Sequence, residues 1–142
     1  MRGWVAAAAL LASALPAGAV DPGELLDPQD AFRLTVRSLG ERSAEVEFRI
    51  APGYYLYRDR FRFETEAGKA IANAILPSGK VKQDAFFGRT ETYRNLVRIT
   101  VPLTNVDLGK KRVRLKVTSQ GCADAGVCYI PQEQWVEVSL SR

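Results

Sequence analysis

Cys122 and Cys128 are the only two cysteines in a 142-residue chain that has no histidine. Between them lie Ala123, Asp124, Ala125, Gly126 and Val127. Runs that alternate apolar and polar residues flank the pair, the period of a half-buried strand. The cysteines are therefore expected at the turn end of a β-hairpin, joined to each other and near solvent. Two chemistries suit that placement: a structural bridge, or a couple that exchanges disulfides with other proteins. Spacing alone favours the first, because most bridges in exported domains are structural. Magnitude favours the second. A ring this short contributes roughly 2–2.5 kcal/mol, about half of what a 100-residue loop gives. A tight ring is also easier to reduce, since ~1.4 kcal/mol of strain raises the potential by ~30 mV. The small residues inside the ring leave the sulfurs little cover.

Other chemistries are narrowed by what is missing. Without histidine there is no Ser-His-Asp triad, no Cys-His dyad and no imidazole metal ligand. Two cysteines alone do not make a structural zinc site, and no glycine loop of the Walker or Rossmann kind is present. Neither a metal nor an organic cofactor is expected. Carboxylates are plentiful, but no pair of them stands out. The net charge of +4 is mild. Lys110-Lys111-Arg112, the densest basic cluster, reads as a solvated loop rather than a nucleic-acid or membrane patch.

The first residues read as a leader. Met1-Arg2 gives a positive start, Trp4 to Leu15 is an apolar run, and Ala17-Gly18-Ala19 is a small-x-small cleavage site. The run is too short to span a bilayer, and no later stretch is apolar enough to do so. Residues 1–19 are thus a signal peptide cleaved near Ala19, and 20–142 one exported domain. About 120 residues can bury a core without help from a bridge. In an oxidising compartment the two thiols are joined unless something reduces them.

The elements that must position the pair are strands. Val20 to Asp30 is an irregular lead-in. Phe32, Leu34 and Val36 alternate with polar partners, and Ala44, Val46, Phe48 and Ile50 form the strongest period-two face. Ala51-Pro52-Gly53 breaks it before Tyr54-Tyr55-Leu56-Tyr57, and Phe61 and Phe63 follow at strand spacing. Ala70 to Leu76 fits a strand or a short helix. Asp84-Ala85-Phe86-Phe87-Gly88 lies in a surface connection, where one aromatic folds into the core or caps another site. Val97, Ile99 and Val101 make a further strand, and Asn105 to Lys110 a turn. Val113, Leu115 and Val117 precede the cysteines, and Val136, Val138 and Leu140 follow them. Seven to nine short strands with turn chemistry between them predict an all-β fold, an antiparallel sandwich of immunoglobulin-like type, with a barrel as the alternative. The inter-sheet bridge of antibody domains is excluded, because these cysteines are local.

Three stretches together resemble the N-terminal periplasmic domain of the DsbD thiol:disulfide interchange family. They are Gly53-Tyr54-Tyr55-Leu56-Tyr57-Arg58, then Phe86-x-Gly88 with Glu91-x-Tyr93-Arg94, and above all Gln120-Gly121-Cys122-Ala123-Asp124-Ala125-Gly126-x-Cys128-Tyr129. The similarity runs from about Ala31 to Leu140. It implies an immunoglobulin-like domain that acts as a protein-disulfide reductase component in the periplasm. By position, Cys128 matches the cysteine that forms the mixed disulfide and Cys122 the one that resolves it. Phe86 matches a cap-loop aromatic that shields the pair, in a loop that also holds Asp84, Phe87 and Gly88. Tyr54, Tyr57, Asp124 and Tyr129 match positions near the site. The implied partners are thioredoxin-fold proteins, namely disulfide isomerases and proteins of cytochrome c maturation. The family's membrane and thioredoxin-like domains do not follow within the sequence, so a monomer with its electron donor in trans is expected.

Two further expectations concern charge. The family carries an acidic residue after the cap-loop aspartate, and here that place is Ala85, so Asp84 acts alone. Nothing near the cysteines is obviously cationic, whereas Asp84 and Asp124 would raise a thiol pKa. The thiol is then expected to react slowly unless a partner supplies positive surroundings. The competing reading is an immunoglobulin-like binding module whose bridge is structural.

Overall fold

The computed structural model describes residues 24–103 and 111–140; the leader, and the turn expected over Asn105 to Lys110, lie outside them. One helical turn, α1 (Pro28–Ala31), opens the described chain, where an irregular lead-in was expected. Pro28 suits the first helical position, since its missing N–H has no partner there anyway, and Ala31 is buried beneath it.

Eleven strands follow among the described residues: β1 (Phe32–Ser38), β2 (Ser43–Ile50), β3 (Tyr54–Tyr57), β4 (Arg62–Thr65), β5 (Lys80–Asp84), β6 (Gly88–Tyr93), β7 (Leu96–Pro102), β8 (Arg112–Ser119), β9 (Gly121–Ala123), β10 (Val127–Cys128) and β11 (Gln132–Ser139). All pairings are antiparallel, in sheets ordered β1-β2-β7, β10-β9-β3-β6-β5 and β11-β8-β4. The second and third sheets are continuous in the chain. β3 leads into β4 through a 3₁₀ turn (Arg58–Arg60), and β8 leads into β9 across Gln120 alone. The Gln120 carbonyl accepts a 3.0 Å hydrogen bond from the Tyr57 N–H, which binds the two halves at that bend.

The apolar alternation decides which faces meet. Ala44, Val46, Phe48 and Ile50 of β2 and Val97, Ile99 and Val101 of β7 are buried. They share one continuous core with Val113, Leu115 and Val117 of β8, Phe63 of β4 and Val138 of β11. This is the immunoglobulin-like sandwich that the spacing predicts. Each large side chain fully buried there contributes about 1.5–3 kcal/mol.

Two segments depart from expectation. Residues 70–76 form neither a strand nor a helix; isolated bridges at Ala70 and Ile75 tie them to Glu64 and Thr100. Asn73 takes a left-handed φ of 67°, which interrupts any regular run. Lys80–Asp84, for which the sequence pattern predicts no strand, is an edge strand paired only with β6. Its sequence hides this because an edge strand has little core face to reveal: Lys80, Val81 and Gln83 are all exposed.

Candidate functional site

β3 is the element around which the site is built, because all four of its residues are buried. Alternation sends them two ways. Tyr54 and Leu56 join the main core, while Tyr55 and Tyr57 form a separate cluster with Cys122 and the half-buried Cys128. β9 lies beside β3 with Cys122 opposite Tyr55 and Gly121 opposite Leu56. That pairing admits only glycine at 121, since a Cβ would come within 2.4 Å of the Tyr55 carbonyl oxygen and 2.6 Å of the Phe32 ring.

The cysteines are bonded to each other as directly opposed residues of β9 and β10. The hairpin turns at Asp124–Gly126, where the Gly126 N–H donates to the Ala123 carbonyl at 3.0 Å and Gly126 adopts a φ of +93°. Glycine takes that conformation without steric cost. The expected pairing and hairpin are present, but the cover is greater than expected. Cys122 is 0% exposed; only Cys128 has a partly open face. The cover comes from β3, not from the small residues of the turn: the Tyr57 hydroxyl lies 3.0 Å from the Cys122 Sγ and 3.6 Å from the Cys128 Sγ.

Above this lies the β5–β6 hairpin. Asp84 and Gly88 are paired at its end, and Ala85, Phe86 and Phe87 form its tip. Asp84 is buried and organises the loop. One carboxylate oxygen accepts the N–H groups of Phe86 and Phe87 at 2.8 and 3.0 Å, and the other accepts the Tyr55 hydroxyl at 2.7 Å. Burial pushes the Asp84 carboxyl up, but these three donors together outweigh it and hold the group below its ordinary range. Tyr55 is pushed up to about 12, first by burial and then by its bond to Asp84. Burial likewise drives Tyr57 well above the usual phenol value.

Neither tip aromatic enters the core: Phe86 is 55% and Phe87 39% exposed. The Phe87 ring meets the Tyr57 ring edge-on at 4.9 Å, and the Arg60 guanidinium sits 4.0 Å from the Phe87 centroid on its face. Residues 84–88 thus form an aromatic flap beside the tyrosine that touches both sulfurs.

Cations are close to the site, contrary to expectation. Lys82 Nζ lies 3.9 Å from the Tyr55 ring centroid and the Arg94 guanidinium 5.1 Å from it. Arg94 also donates two hydrogen bonds to the two carboxylate oxygens of Asp124, at 2.9 and 2.7 Å. That bond, stronger than the opposing effect of burial, holds the Asp124 carboxyl below its ordinary value. Sequence reading missed Lys82 and Arg94 because each reaches the site across strands.

The structure therefore gathers Cys122, Cys128, Tyr57, Asp84, Phe87, Gly88 and Asp124 on one side, with Phe86 at the flap's tip. It places Tyr54 and Tyr129 elsewhere. Their rings stack at 6.3 Å on the core face, beside Phe32, and the Tyr54 hydroxyl accepts the Leu26 N–H at 2.9 Å. Tyr55, which the sequence reading did not single out, occupies the place expected of Tyr54. Among the described residues no cluster of His, Cys, Asp or Glu could hold a metal ion, and no helix is long and apolar enough to cross a membrane.

Fold and site together define a class: an immunoglobulin-like β domain with a cross-strand cysteine pair beneath an aromatic flap. The family described as thiol:disulfide interchange protein DsbD, N-terminal, matches residues 23–140, and the chain belongs to it. Thiol:disulfide interchange protein DsbD 1 of Pseudomonas aeruginosa is 37% identical over 91% of this chain and 24% of its own length. The DsbD protein of Ralstonia nicotianae is 41% identical over 88% of this chain and 20% of its own. The chain thus spans about a quarter or less of these relatives. The crystal structure of the reduced Neisseria meningitidis DsbD N-terminal domain superposes with a TM-score of 0.73, at 30% identity over 84% of this chain and 93% of that one. A complex between the DsbD and PilB N-terminal domains of the same organism gives 0.65, at 31% identity over 80% and 87%.

Proposed function

We propose that the chain is a periplasmic thiol–disulfide exchange domain that passes two electrons through Cys122 and Cys128 to thioredoxin-fold partners. The observation that carries this is the asymmetry of the pair. Cys122 is fully enclosed against Tyr57, while Cys128 keeps a partly open face. A bridge serving stability alone has no need of an open sulfur. Exchange requires one, because a thiolate must approach along the S–S axis.

The step balances as follows. The Cys128 thiolate attacks one sulfur of a partner disulfide; a mixed disulfide forms and the partner's other sulfur leaves as a thiolate. The Cys122 thiolate then attacks Cys128 in that mixed disulfide, closes the ring and releases the second partner sulfur. The partner gains two electrons and the couple loses two. A reduced thioredoxin-like donor reverses the sequence on this domain.

The family resemblance supports disulfide isomerases and proteins of cytochrome c maturation as acceptors. The structural relative in complex with PilB shows that this fold docks another protein's domain. Residues 1–19 serve as the export signal and 20–142 as the working domain, which acts as a monomer. Phe86 and Phe87 shield the couple until a docking partner displaces the flap.

The test is a trap. Reduced Cys122→Ala protein, mixed with an oxidised thioredoxin-fold partner, should accumulate a covalent complex through Cys128. No complex through Cys128, with the partner's disulfide intact, would count against exchange and favour a binding module with a structural bridge.

A further inference from the structure

Arg94 belongs to the Glu91-x-Tyr93-Arg94 stretch, which the exchange reaction leaves unexplained. It follows β6 directly, at a corner where Asn95 takes a left-handed φ of 64°. That corner aims the guanidinium at the turn between the cysteines, where it meets Asp124 through two parallel hydrogen bonds of 2.9 and 2.7 Å. The same turn is held from the other side by the Asp124 N–H, which donates to the Gly53 carbonyl at 2.8 Å.

We infer that Arg94 is a positioning residue for the cysteine couple: it pins the Asp124 turn and cancels that carboxylate's charge beside the sulfurs. The inference rests on the exchange reading for its purpose, not for its measurement. Asp124 lies two residues from Cys122, about 7 Å of extended chain, within one Debye length at physiological salt. Unpaired, its charge would oppose a thiolate. Paired, the two charges nearly cancel. The other charged or titratable groups around the couple are Tyr57 and Tyr55 from β3 and Lys82 and Asp84 from β5. Asp84 is already bound to Tyr55 and the flap amides, and Lys82 lies over the Tyr55 ring. The Arg60 guanidinium faces Phe87. Among these groups, only Asp124 is carried within the cysteine ring itself.

The test is the pH dependence of iodoacetamide labelling of Cys128 in the fully reduced protein, at low salt. Arg94→Gln should move the midpoint upward and cut labelling at a pH below it by about threefold. Asp124→Asn should move the midpoint downward and raise labelling by a similar factor, as expected of one charge at this distance in a partly solvated site. The double variant should return near the parent. Arg94→Lys, which keeps the charge and loses the fork, should stay near the parent as well. Single variants that shift in the same direction, or not at all, would overturn the inference and leave Arg94 a purely structural tie. An Arg94→Lys midpoint as high as that of Arg94→Gln would overturn the charge role too. No partner enters this titration, so a failed trap with Cys122→Ala rejects exchange separately.

Discussion

The polar side chains at the site hold different groups, so single substitutions should separate their roles. Tyr57→Phe removes the hydroxyl that lies against both sulfurs. Without that donor a thiolate loses a hydrogen bond, so the labelling midpoint of the reduced pair should rise; an unchanged midpoint means the hydroxyl only fills space. Asp84→Ala leaves the Tyr55 hydroxyl and two flap amides without their acceptor, and should cost about 2 kcal/mol in denaturant unfolding. The pH dependence of Asp84 has a definite sign. Its folded pKa is depressed, so its stabilisation is complete above the unfolded value near 4 and is lost as pH falls through the lower folded value. The cost of Asp84→Ala in denaturant unfolding should therefore stay constant across the neutral range and shrink only below about pH 4. The sequence shows Tyr55, Tyr57 and Asp84 but not their bonds. Strand parity does speak: Tyr54 and Tyr57, three apart, must face opposite sides of β3, whereas Tyr55 and Tyr57 share one. That rule, applied to the motif, picks Tyr55 over Tyr54.

Elements set how the couple is covered. Gly121 is the hinge of that arrangement, because β9 can approach β3 only without a Cβ at that place. Gly121→Ala should lower stability by more than 2 kcal/mol in a chemical melt, as backbone and the Phe32 ring are forced apart. The flap makes a second prediction. Phe86→Ala and Phe87→Ala should each speed alkylation of the reduced thiols several-fold. Acceleration by Phe87→Ala alone would assign the shield to the ring that meets Tyr57, and acceleration by neither would reject a flap. The alternating strands β1, β2, β7, β8 and β11 were legible in sequence because each buries one face. β5 was not, since an edge strand with exposed Val81 and Gln83 leaves no apolar stripe. The Asp84–Gly88 tip could be recognised as a loop, yet its direction depends on hydrogen bonds made across the sheet.

On the scale of the whole domain, the core and the couple are adjacent but distinct clusters. The core takes in residues of β1, β2, β7, β8 and β11 together with Tyr54 and Leu56 of β3, Phe63 of β4 and Ala123 of β9, but neither cysteine. A bridge between neighbouring strands constrains the unfolded chain little, so replacing both cysteines with alanine should cost only roughly 2 kcal/mol and leave the sandwich folded. The immunoglobulin-like class could be read from strand spacing, and the chemistry from the resemblance. The charges around the pair could not, because Arg94 and Lys82 meet it only after β5, β6 and β9 assemble. The central claim is that this bond opens and closes in service, and its reduction potential tests that most directly. Equilibration of Cys122–Cys128 against glutathione or thioredoxin standards should give a value above about −300 mV, within reach of thioredoxin-fold donors and acceptors. A value well below about −300 mV would mark a bond that stays shut and contradict the account.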